Sequence, residues 1–204
     1  GVQGAVNPRP VPHITLFGPY NTDEGRQVKR IVKETLSDYD LVPYQIDGFG
    51  RFEQNRVIYA NIVPSPALRD LRRALSRRLR PVCYNYQPYD SNYFYNFHTT
   101  IAYKDVTDEF EDIWAYVNNT YNLQSDEYAI RVTSLRQRNM MWEYDLLQDR
   151  ELRSDTSTSS ASWRRSIDHL NERRSATDHE TLAPKPNRVS QLARKSMAKM
   201  LRRW

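Results

Sequence analysis

Two short stretches decide the fold: Pro12-His13-Ile14-Thr15-Leu16-Phe17-Gly18 near the start of the chain, and Phe97-His98-Thr99-Thr100-Ile101 near its middle. Each places the pattern His-x-Thr inside a short, mostly apolar run, and the two histidines lie 85 positions apart. The same offset relates Thr22-Asp23-Glu24 to Thr107-Asp108-Glu109, and both triplets are typical of a helix start. A repeat that keeps one offset over a strand, a loop and a helix start indicates a duplicated structural unit.

Hydrophobic periodicity predicts the same order of elements in both copies. The first copy has a strand, a helix and two strands at Pro12–Phe17, Thr22–Ser37, Val42–Phe52 and Arg56–Val63. The second has the same elements at Phe97–Tyr103, Thr107–Asn119, Tyr128–Leu135 and Met140–Leu147. A connecting helix is predicted at Ser65–Leu79. The predicted fold class is therefore α+β, with two pseudo-symmetric β-α-β-β lobes whose antiparallel sheets flank a central cleft.

The composition changes after Asp149. The Ser- and Thr-rich stretch Ser154–Ser162 predicts a loose segment, and helices are predicted at Ser162–Arg174 and Arg188–Trp204, with a proline-containing linker at Ala183–Asn187. The last of these helices has an apolar stripe, for which three uses remain open: docking on the rest of the chain, binding RNA, or lying on an anionic membrane surface. We expect a bilobal domain over residues 1–149 and a basic, partly helical C-terminal extension over 150–204.

Charge is distributed unevenly along the 204 residues. Residues 150–204 contain 13 Lys and Arg against 6 Asp and Glu, net +7, whereas residues 1–149 contain 17 against 19, net −2. No apolar run approaches the roughly 20 residues of a membrane span. The given sequence begins at Gly1 rather than Met, and its first residues do not have the charged-then-apolar pattern of a signal segment. The single Cys83 excludes an internal disulfide, so a reducing, cytoplasmic location is expected.

The repeated His and Thr pairs indicate acid–base chemistry at a phosphodiester. Alternate side chains of a strand share a face, so His13 and Thr15 point one way, as do His98 and Thr100. A pseudo-twofold would bring two imidazoles and two hydroxyls together. One neutral and one protonated imidazole can act as base and acid, while the hydroxyls bind phosphate oxygens. This chemistry requires neither a metal nor another cofactor.

Two other interpretations compete with this one. A single His-x-Thr is weak evidence of a site, because a threonine can follow a histidine at this spacing by chance, and an isolated histidine on a strand is usually a surface residue or a satisfied core residue. A zinc site built on His13 and His98 would need a third ligand, and neither His169 nor His179 is well placed to supply it. The common register of both motifs with the wider repeat favours a shared acid–base site.

The two quoted stretches resemble the paired motifs of the 2H phosphoesterase superfamily, especially its branch of 2'-5' RNA ligases and cyclic phosphodiesterases. The resemblance extends over roughly residues 10–147. It implies a bilobal fold with duplicated lobes beside a groove, and substrates that are RNA or nucleotides with a cyclic phosphate or a 2'-5' linkage. The expected activity is metal-independent hydrolysis of 2',3'-cyclic phosphate ends of RNA to 2'-phosphates, by a protein for which a monomer is favoured.

The resemblance also implies the roles of individual residues. His13 and His98 would be the catalytic pair, and Thr15 and Thr100 would bind the phosphate. By the family's precedent, His98 is the base toward water and His13 the acid toward the leaving 3' oxygen, with roles exchanged in ligation. The alternatives are a 2'-5' RNA ligase or 2'-5' oligonucleotide phosphodiesterase, and a non-catalytic RNA-binding module.

Three neighbouring features bear on substrate binding. Many family members have an Arg five positions after the second His, where this chain has Tyr103, and we expect Lys104 to substitute because strand parity puts it on the His98 face. The tyrosine-rich loop 84–95 could either stack on a nucleobase or pack at the lobe junction. The outer face of the connecting helix, with Arg69, Arg72, Arg73, Arg77 and Arg78, could follow RNA phosphates or simply be solvated.

Overall fold

The computed structural model describes residues 12–103, 108–136 and 139–177. These residues form two compact units. The first unit contains those within 1–32, 42–129 and 135–139, and the second those within 33–41, 130–134 and 140–204. The predicted linker and final helix, 183–187 and 188–204, lie outside the described residues. Among the described helices, none is both long and apolar enough to cross a membrane.

Helices and antiparallel strands alternate along the chain, which confirms the predicted α+β class. The described strands are β1 (Val42–Phe52), β2 (Val57–Pro64), β3 (His98–Ala102), β4 (Gln124–Ala129), β5 (Arg131–Arg136), β6 (Asn139–Asp145) and β7 (Arg150–Arg153). The helices are α1 (Gly25–Leu36), α2 (Pro66–Leu79), α3 (Phe110–Thr120), α4 (Ser154–Ser157) and α5 (Ser160–Thr177).

The sequence repeat is preserved in the element boundaries. Helices α1 and α3 begin at Gly25 and Phe110, which are again 85 positions apart. Ahead of α1, the Thr22 hydroxyl accepts a hydrogen bond from the Glu24 amide at 3.0 Å, but Thr22 is not the helix cap, because Glu24 directly precedes the first helical residue. The predicted helix start was three residues early, because Thr22, Asp23 and Glu24 precede the first helical turn.

The prediction of a complete strand at 12–17 is wrong. Only Ile14 forms a ladder contact, an isolated antiparallel bridge to Thr99 of β3. The chain leaves the extended conformation soon afterwards, since Gly18 adopts φ +100°, a region that favours glycine. A Cβ at this position would also lie 2.9 Å from a ring carbon of Tyr20. The turn therefore requires glycine both for its backbone conformation and for the space beside Tyr20.

The first unit is built on a four-stranded antiparallel sheet of order β3-β2-β1-β4. The expectation that each copy forms its own sheet is therefore wrong, because β3 and β4 of the second copy flank β1 and β2 of the first. Strand β2 thereby lies inside the sheet, between β3 and β1, and its residues 57–60 are all buried. Helix α3 packs on this sheet, where Phe110 contacts Ile58.

The predicted strand 128–135 is in fact two strands. It breaks at the buried Ile130, whose carbonyl accepts a hydrogen bond from the Leu146 amide at 3.0 Å. Before the break, β4 pairs with β1; after it, β5 joins a separate three-stranded sheet of order β5-β6-β7. Strand β7 was not predicted, because its sequence Arg-Glu-Leu-Arg has a single apolar residue, the buried Leu152.

The serine-rich segment is ordered rather than loose, and it belongs to the second unit. The Arg131 side chain is 4% exposed and donates hydrogen bonds to Glu143, to the Ser157 carbonyl, and to the hydroxyls of Ser162 and Ser166 at 2.7–3.2 Å. Its guanidinium also lies 4.2 Å from the centroid of the Trp163 ring. The buried serines at 157, 162 and 166 thus accept hydrogen bonds from this arginine, which fixes α4 and α5 against the smaller sheet.

We predict that Arg131→Met lowers the free energy of unfolding by about 3–5 kcal/mol, because it leaves buried carboxylates without their cation. Glu143 and Asp145 are 6% and 0% exposed. The matched control is Lys33→Met in the same unit, whose ion pair with Glu151 is partly solvated and should contribute less than about 1 kcal/mol. Urea unfolding followed by circular dichroism measures the free energy of unfolding of both variants. Equal decreases in the two variants would contradict the role of Arg131 as the cation that stabilises the buried carboxylates.

Candidate functional site

The two His-x-Thr motifs lie side by side in the first unit. The antiparallel bridge between Ile14 and Thr99 pairs the middle residues of the motifs. In that register His13 lies across from Thr100, and Thr15 lies across from His98. Because side chains alternate along extended backbone, the two histidines and the other two threonines are directed to the face opposite Ile14 and Thr99. His13 and Thr100 are exposed, whereas Thr15 and His98 are half-buried.

His98 is held by a hydrogen bond and by aromatic rings. Its Nδ1 is 2.9 Å from the carbonyl oxygen of Asn96. A carbonyl only accepts, so Nδ1 is the protonated nitrogen in this bond and Nε2 of the neutral ring remains an acceptor. The Phe52 ring lies edge-on to the imidazole, with 5.2 Å between the ring centroids, and the centroid of the Tyr59 ring lies 5.1 Å from that of the imidazole. The ring is therefore fixed in both tautomer and orientation.

Tyr59 occupies its place beside His98 because β1 has no side chain there. Gly50 is the register partner of Tyr59, and a Cβ on it would lie 2.3–2.5 Å from the phenol end of the ring. The Tyr59 hydroxyl accepts a hydrogen bond from the Asn96 side chain at 3.0 Å. Tyr59 thus contacts both His98 and the residue whose carbonyl holds His98.

The loop between α2 and β3 fixes the segment that follows the first motif. The Gly18 amide donates to the carboxylate of Asp90, which is 2% exposed, at 3.2 and 3.3 Å. The Tyr89 hydroxyl donates to the Gly18 carbonyl at 3.2 Å. Further along, Asn21 and Tyr84 exchange two backbone hydrogen bonds of 2.8 and 2.9 Å. Hydrogen bonds from the loop therefore hold the chain in place a few residues beyond Thr15.

A buried arginine in turn organises this loop. The sequence analysis placed Arg72 on the outer face of α2, but it is 3% exposed and faces inward. Its guanidinium donates to the carbonyls of Tyr89 at 2.6 Å and Asn92 at 3.3 Å, and lies 3.9 Å from the Asp90 carboxylate. Burial lowers the pKa of Arg72 and raises the pKa of Asp90, and the opposite charges partly offset both effects.

Tyr95 links this arginine to both motifs. The Arg72 guanidinium lies 3.8 Å from the centroid of the Tyr95 ring, a cation–π contact. The Tyr95 hydroxyl is hydrogen-bonded to the Thr15 side chain, and its ring lies 6.5 Å from that of His98. Burial raises the pKa of Tyr95 to about 12, so it stays protonated near neutral pH.

The described residues thus bring four of the five predicted site residues together and leave one untested. His13, Thr15, His98 and Thr100 meet at the bridge, whereas Lys104 lies outside the described ranges and stays a prediction. Over residues 12–103, 108–136 and 139–177, no group of three or more His, Cys, Asp or Glu is arranged to hold a metal ion. The zinc alternative therefore finds no third ligand in that part of the chain.

Sequence reasoning missed Arg72, Asp90 and Gly50. Arg72 lies four residues after Leu68 and three before Leu75, so helical spacing alone places it on the buried stripe. Asp90 and Gly50 have no comparable signal, since their roles arise from partners far along the chain.

Comparison with known proteins gives a family-level answer. The family model of the 2'-5' RNA ligase superfamily matches residues 4–137, about two thirds of the chain. A search of the curated proteins finds no match. The matched region includes both His-x-Thr motifs, the loop between α2 and β3, and the four-stranded sheet.

We predict that Gly50→Ala displaces Tyr59 and, with it, His98. The added methyl has no space beside a buried ring, so the free energy of unfolding should fall by about 1–3 kcal/mol. Gly25→Ala is the matched control, because no atom lies within 4 Å of the Cβ that this change adds, and alanine suits the first turn of α1. It should be neutral or stabilising by about 0.5–1 kcal/mol. Denaturant unfolding tests both, and a neutral Gly50→Ala would refute the close approach.

Proposed function

The chain belongs to the 2'-5' RNA ligase superfamily, and we propose that it is a metal-independent phosphodiesterase that hydrolyses 2',3'-cyclic phosphate ends of RNA to 2'-phosphates. The bridge between Ile14 and Thr99 supports this function most strongly, because its register puts His13 and Thr15 beside His98 and Thr100. Two imidazoles and two hydroxyls directed to one face form a set of groups suited to transfer at phosphorus.

His98 suits the role of general base. Its Nδ1 donates to the Asn96 carbonyl, so the neutral ring presents Nε2 as proton acceptor. Nε2 would take a proton from a water molecule, and the water oxygen would form a bond to phosphorus. The contacts with Phe52 and Tyr59 favour this role, because a general base must be held within hydrogen-bond reach of its proton.

His13 would complete the reaction as general acid. As the bond between phosphorus and the 3' oxygen breaks, protonated His13 gives its proton to that oxygen, and the product keeps the phosphate on the 2' oxygen. His98 leaves the step protonated and His13 neutral, so the proton balance closes. Exposure of His13 is compatible with proton exchange with solvent before the next turnover.

Thr15 and Thr100 would bind the non-bridging phosphate oxygens. Hydrogen bonds from these hydroxyls strengthen as negative charge builds at phosphorus. The hydrogen bond between Thr15 and Tyr95 restricts the Thr15 rotamer, which favours a preorganised donor. Lys104, for which we keep the role of phosphate-binding cation, would add a positive charge without a bidentate grip.

The decisive experiment is turnover of a 2',3'-cyclic nucleotide in the presence of EDTA. Formation of a 2'-phosphate supports the proposal, whereas a 3'-phosphate, or activity that EDTA abolishes, contradicts it. Supplying RNA with a 5'-hydroxyl end tests ligation. That hydroxyl would attack phosphorus in place of water while the bond to the 3' oxygen breaks, so His98 would again be the base and His13 the acid, and the exchanged roles would belong to cleavage of the 2'-5' linkage. A joined product would assign the 2'-5' ligase alternative, and cleavage confined to 2'-5' linkages the oligonucleotide phosphodiesterase alternative. Tight RNA binding without any turnover would leave the non-catalytic module.

We predict that His13→Ala and His98→Ala each reduce kcat by about 10²–10⁴, the usual contribution of a general acid or base. Thr15→Ala and Thr100→Ala should cost less, since each removes one hydrogen bond to the phosphate. His169→Ala is the control, because His169 is paired with Glu172 on α5 at 3.3 Å and has no place at the bridge. Near-full activity of either motif variant on a cyclic nucleotide would rule out the two-histidine site.

A further inference from the structure

A basic and aromatic surface lies beside the candidate site. Four arginines of α2 and its end recur at helical spacing, within about 80° of the helix circumference at 100° per residue: Arg69, Arg73, Arg77 and Arg80. Three of them are exposed and Arg73 is half-buried. We call this group the arginine stripe; it lies in the same unit as both motifs.

Two exposed aromatic side chains border the arginine stripe. Phe94 is 84% exposed and Tyr93 65%, and their rings meet edge-on at 5.2 Å. The Arg73 guanidinium lies 3.9 Å from the centroid of the Tyr93 ring, and Arg80 donates to the Ser91 hydroxyl at 3.3 Å. Stripe and aromatic pair therefore form one continuous surface, and solvent exposure of so much apolar ring area has a cost that a bound partner would remove.

The aromatic pair is presented by the same loop that organises the site. The Asn92 side chain accepts a hydrogen bond from the Phe94 amide at 2.9 Å, and the Asn92 carbonyl accepts one from the buried Arg72. The next residue, Tyr95, contacts Thr15 and His98. The exposed rings are thus held on a fixed turn one or two residues from the site, which limits the entropy that a ligand must pay to order them.

Charge also sets this surface apart. Residues 66–80 contain six Arg and one Asp, net +5, whereas the rest of residues 1–149 contains 11 Lys and Arg against 18 Asp and Glu, net −7. A concentrated positive stripe on an otherwise acidic region attracts a polyanion locally rather than through the net charge. Guanidinium groups that follow a backbone, together with aromatic faces for bases, are the combination that binds single-stranded nucleic acid.

We propose that the arginine stripe and the pair Tyr93–Phe94 bind the single-stranded RNA that precedes the reacting end, with a base stacked on Phe94 and phosphates along α2. The choice of RNA rests on the proposed function, whereas the surface itself does not. It follows that the enzyme distinguishes RNA of several nucleotides from a mononucleotide by affinity rather than by rate.

The test measures binding and turnover separately in the full chain. Fluorescence anisotropy with a 12-nucleotide single-stranded RNA ending in a 3'-hydroxyl gives the Kd at several salt concentrations. Arg69→Ala/Arg73→Ala/Arg77→Ala should weaken binding at least tenfold and reduce the slope of log K against log salt by about 2, at roughly 0.7 per phosphate of a single strand. Phe94→Ala should weaken binding about tenfold, as loss of one stacked base does.

Matched controls exclude general effects of charge and aromatic area. Arg153→Ala/Arg164→Ala/Arg165→Ala removes the same charge from exposed positions of the second unit. Tyr116→Ala removes an exposed aromatic from a comparable pair at the end of α3, where its ring centroid lies 5.8 Å from that of Tyr121. Both control variants should keep the wild-type Kd. Equal weakening by the controls, or an unchanged Kd in the stripe and Phe94 variants, would overturn the proposal.

Two further readouts separate this proposal from its rivals. In the stripe variant, KM for a cyclic-phosphate-ended RNA should rise at least tenfold while turnover of a 2',3'-cyclic mononucleotide is unchanged; equal losses on both substrates would contradict an RNA surface. Poly-glutamate as competitor should displace RNA only weakly, and equal displacement would mean a general anion or acidic-protein site instead. If the protein turns over neither substrate, the proposed function fails, and the anisotropy measurement still decides the surface.

Discussion

The buried pair of Arg72 and Asp90 is the constraint on which the arrangement of the candidate site depends. Asp90 accepts the Gly18 amide and so fixes the chain just beyond the first motif, while Arg72 fixes the loop through two backbone carbonyls and stacks on Tyr95. Removing either partner would leave the other charge buried and unpaired, which is far costlier than losing a surface ion pair. The pair therefore connects α2, the first motif and the approach to the second through one small volume.

This connection explains how a short motif without a full strand is held in place. Ile14 makes only an isolated bridge, so its ladder alone would position His13 and Thr15 weakly. The hydrogen bonds from Gly18 to Asp90 and between Tyr95 and Thr15 supply what the missing strand does not. On the other side, Gly50 admits the Tyr59 ring against His98. Each motif is thus supported by residues from the loop and from the sheet.

Local patterns in the sequence were sufficient to predict the repeat, α1, α2, α3 and β1 through β3 within about three residues, because periodicity and helix starts are local signals. They did not predict the bridge between Ile14 and Thr99, because the two motifs were expected to face each other across a cleft between lobes. Strand order was not predictable in the same way, since the exchange of β3 and β4 between copies depends on which edges of β2 and β1 need a partner. The stretch Ser154–Ser162 was predicted to be loose because Arg131, which bonds its Ser157 and Ser162, lies about 30 residues earlier in the chain.

The proposed function requires that His13 and His98 form one phosphate-binding site. The most direct measurement is a ¹H–¹⁵N correlation spectrum of the imidazole nitrogens during titration with a 2'-nucleoside monophosphate, the expected product. The signals of His13 and His98 should shift together, along curves with a single Kd, while those of His169 stay in place. Shifts of only one of the two histidines, or two different Kd values, would contradict a shared site.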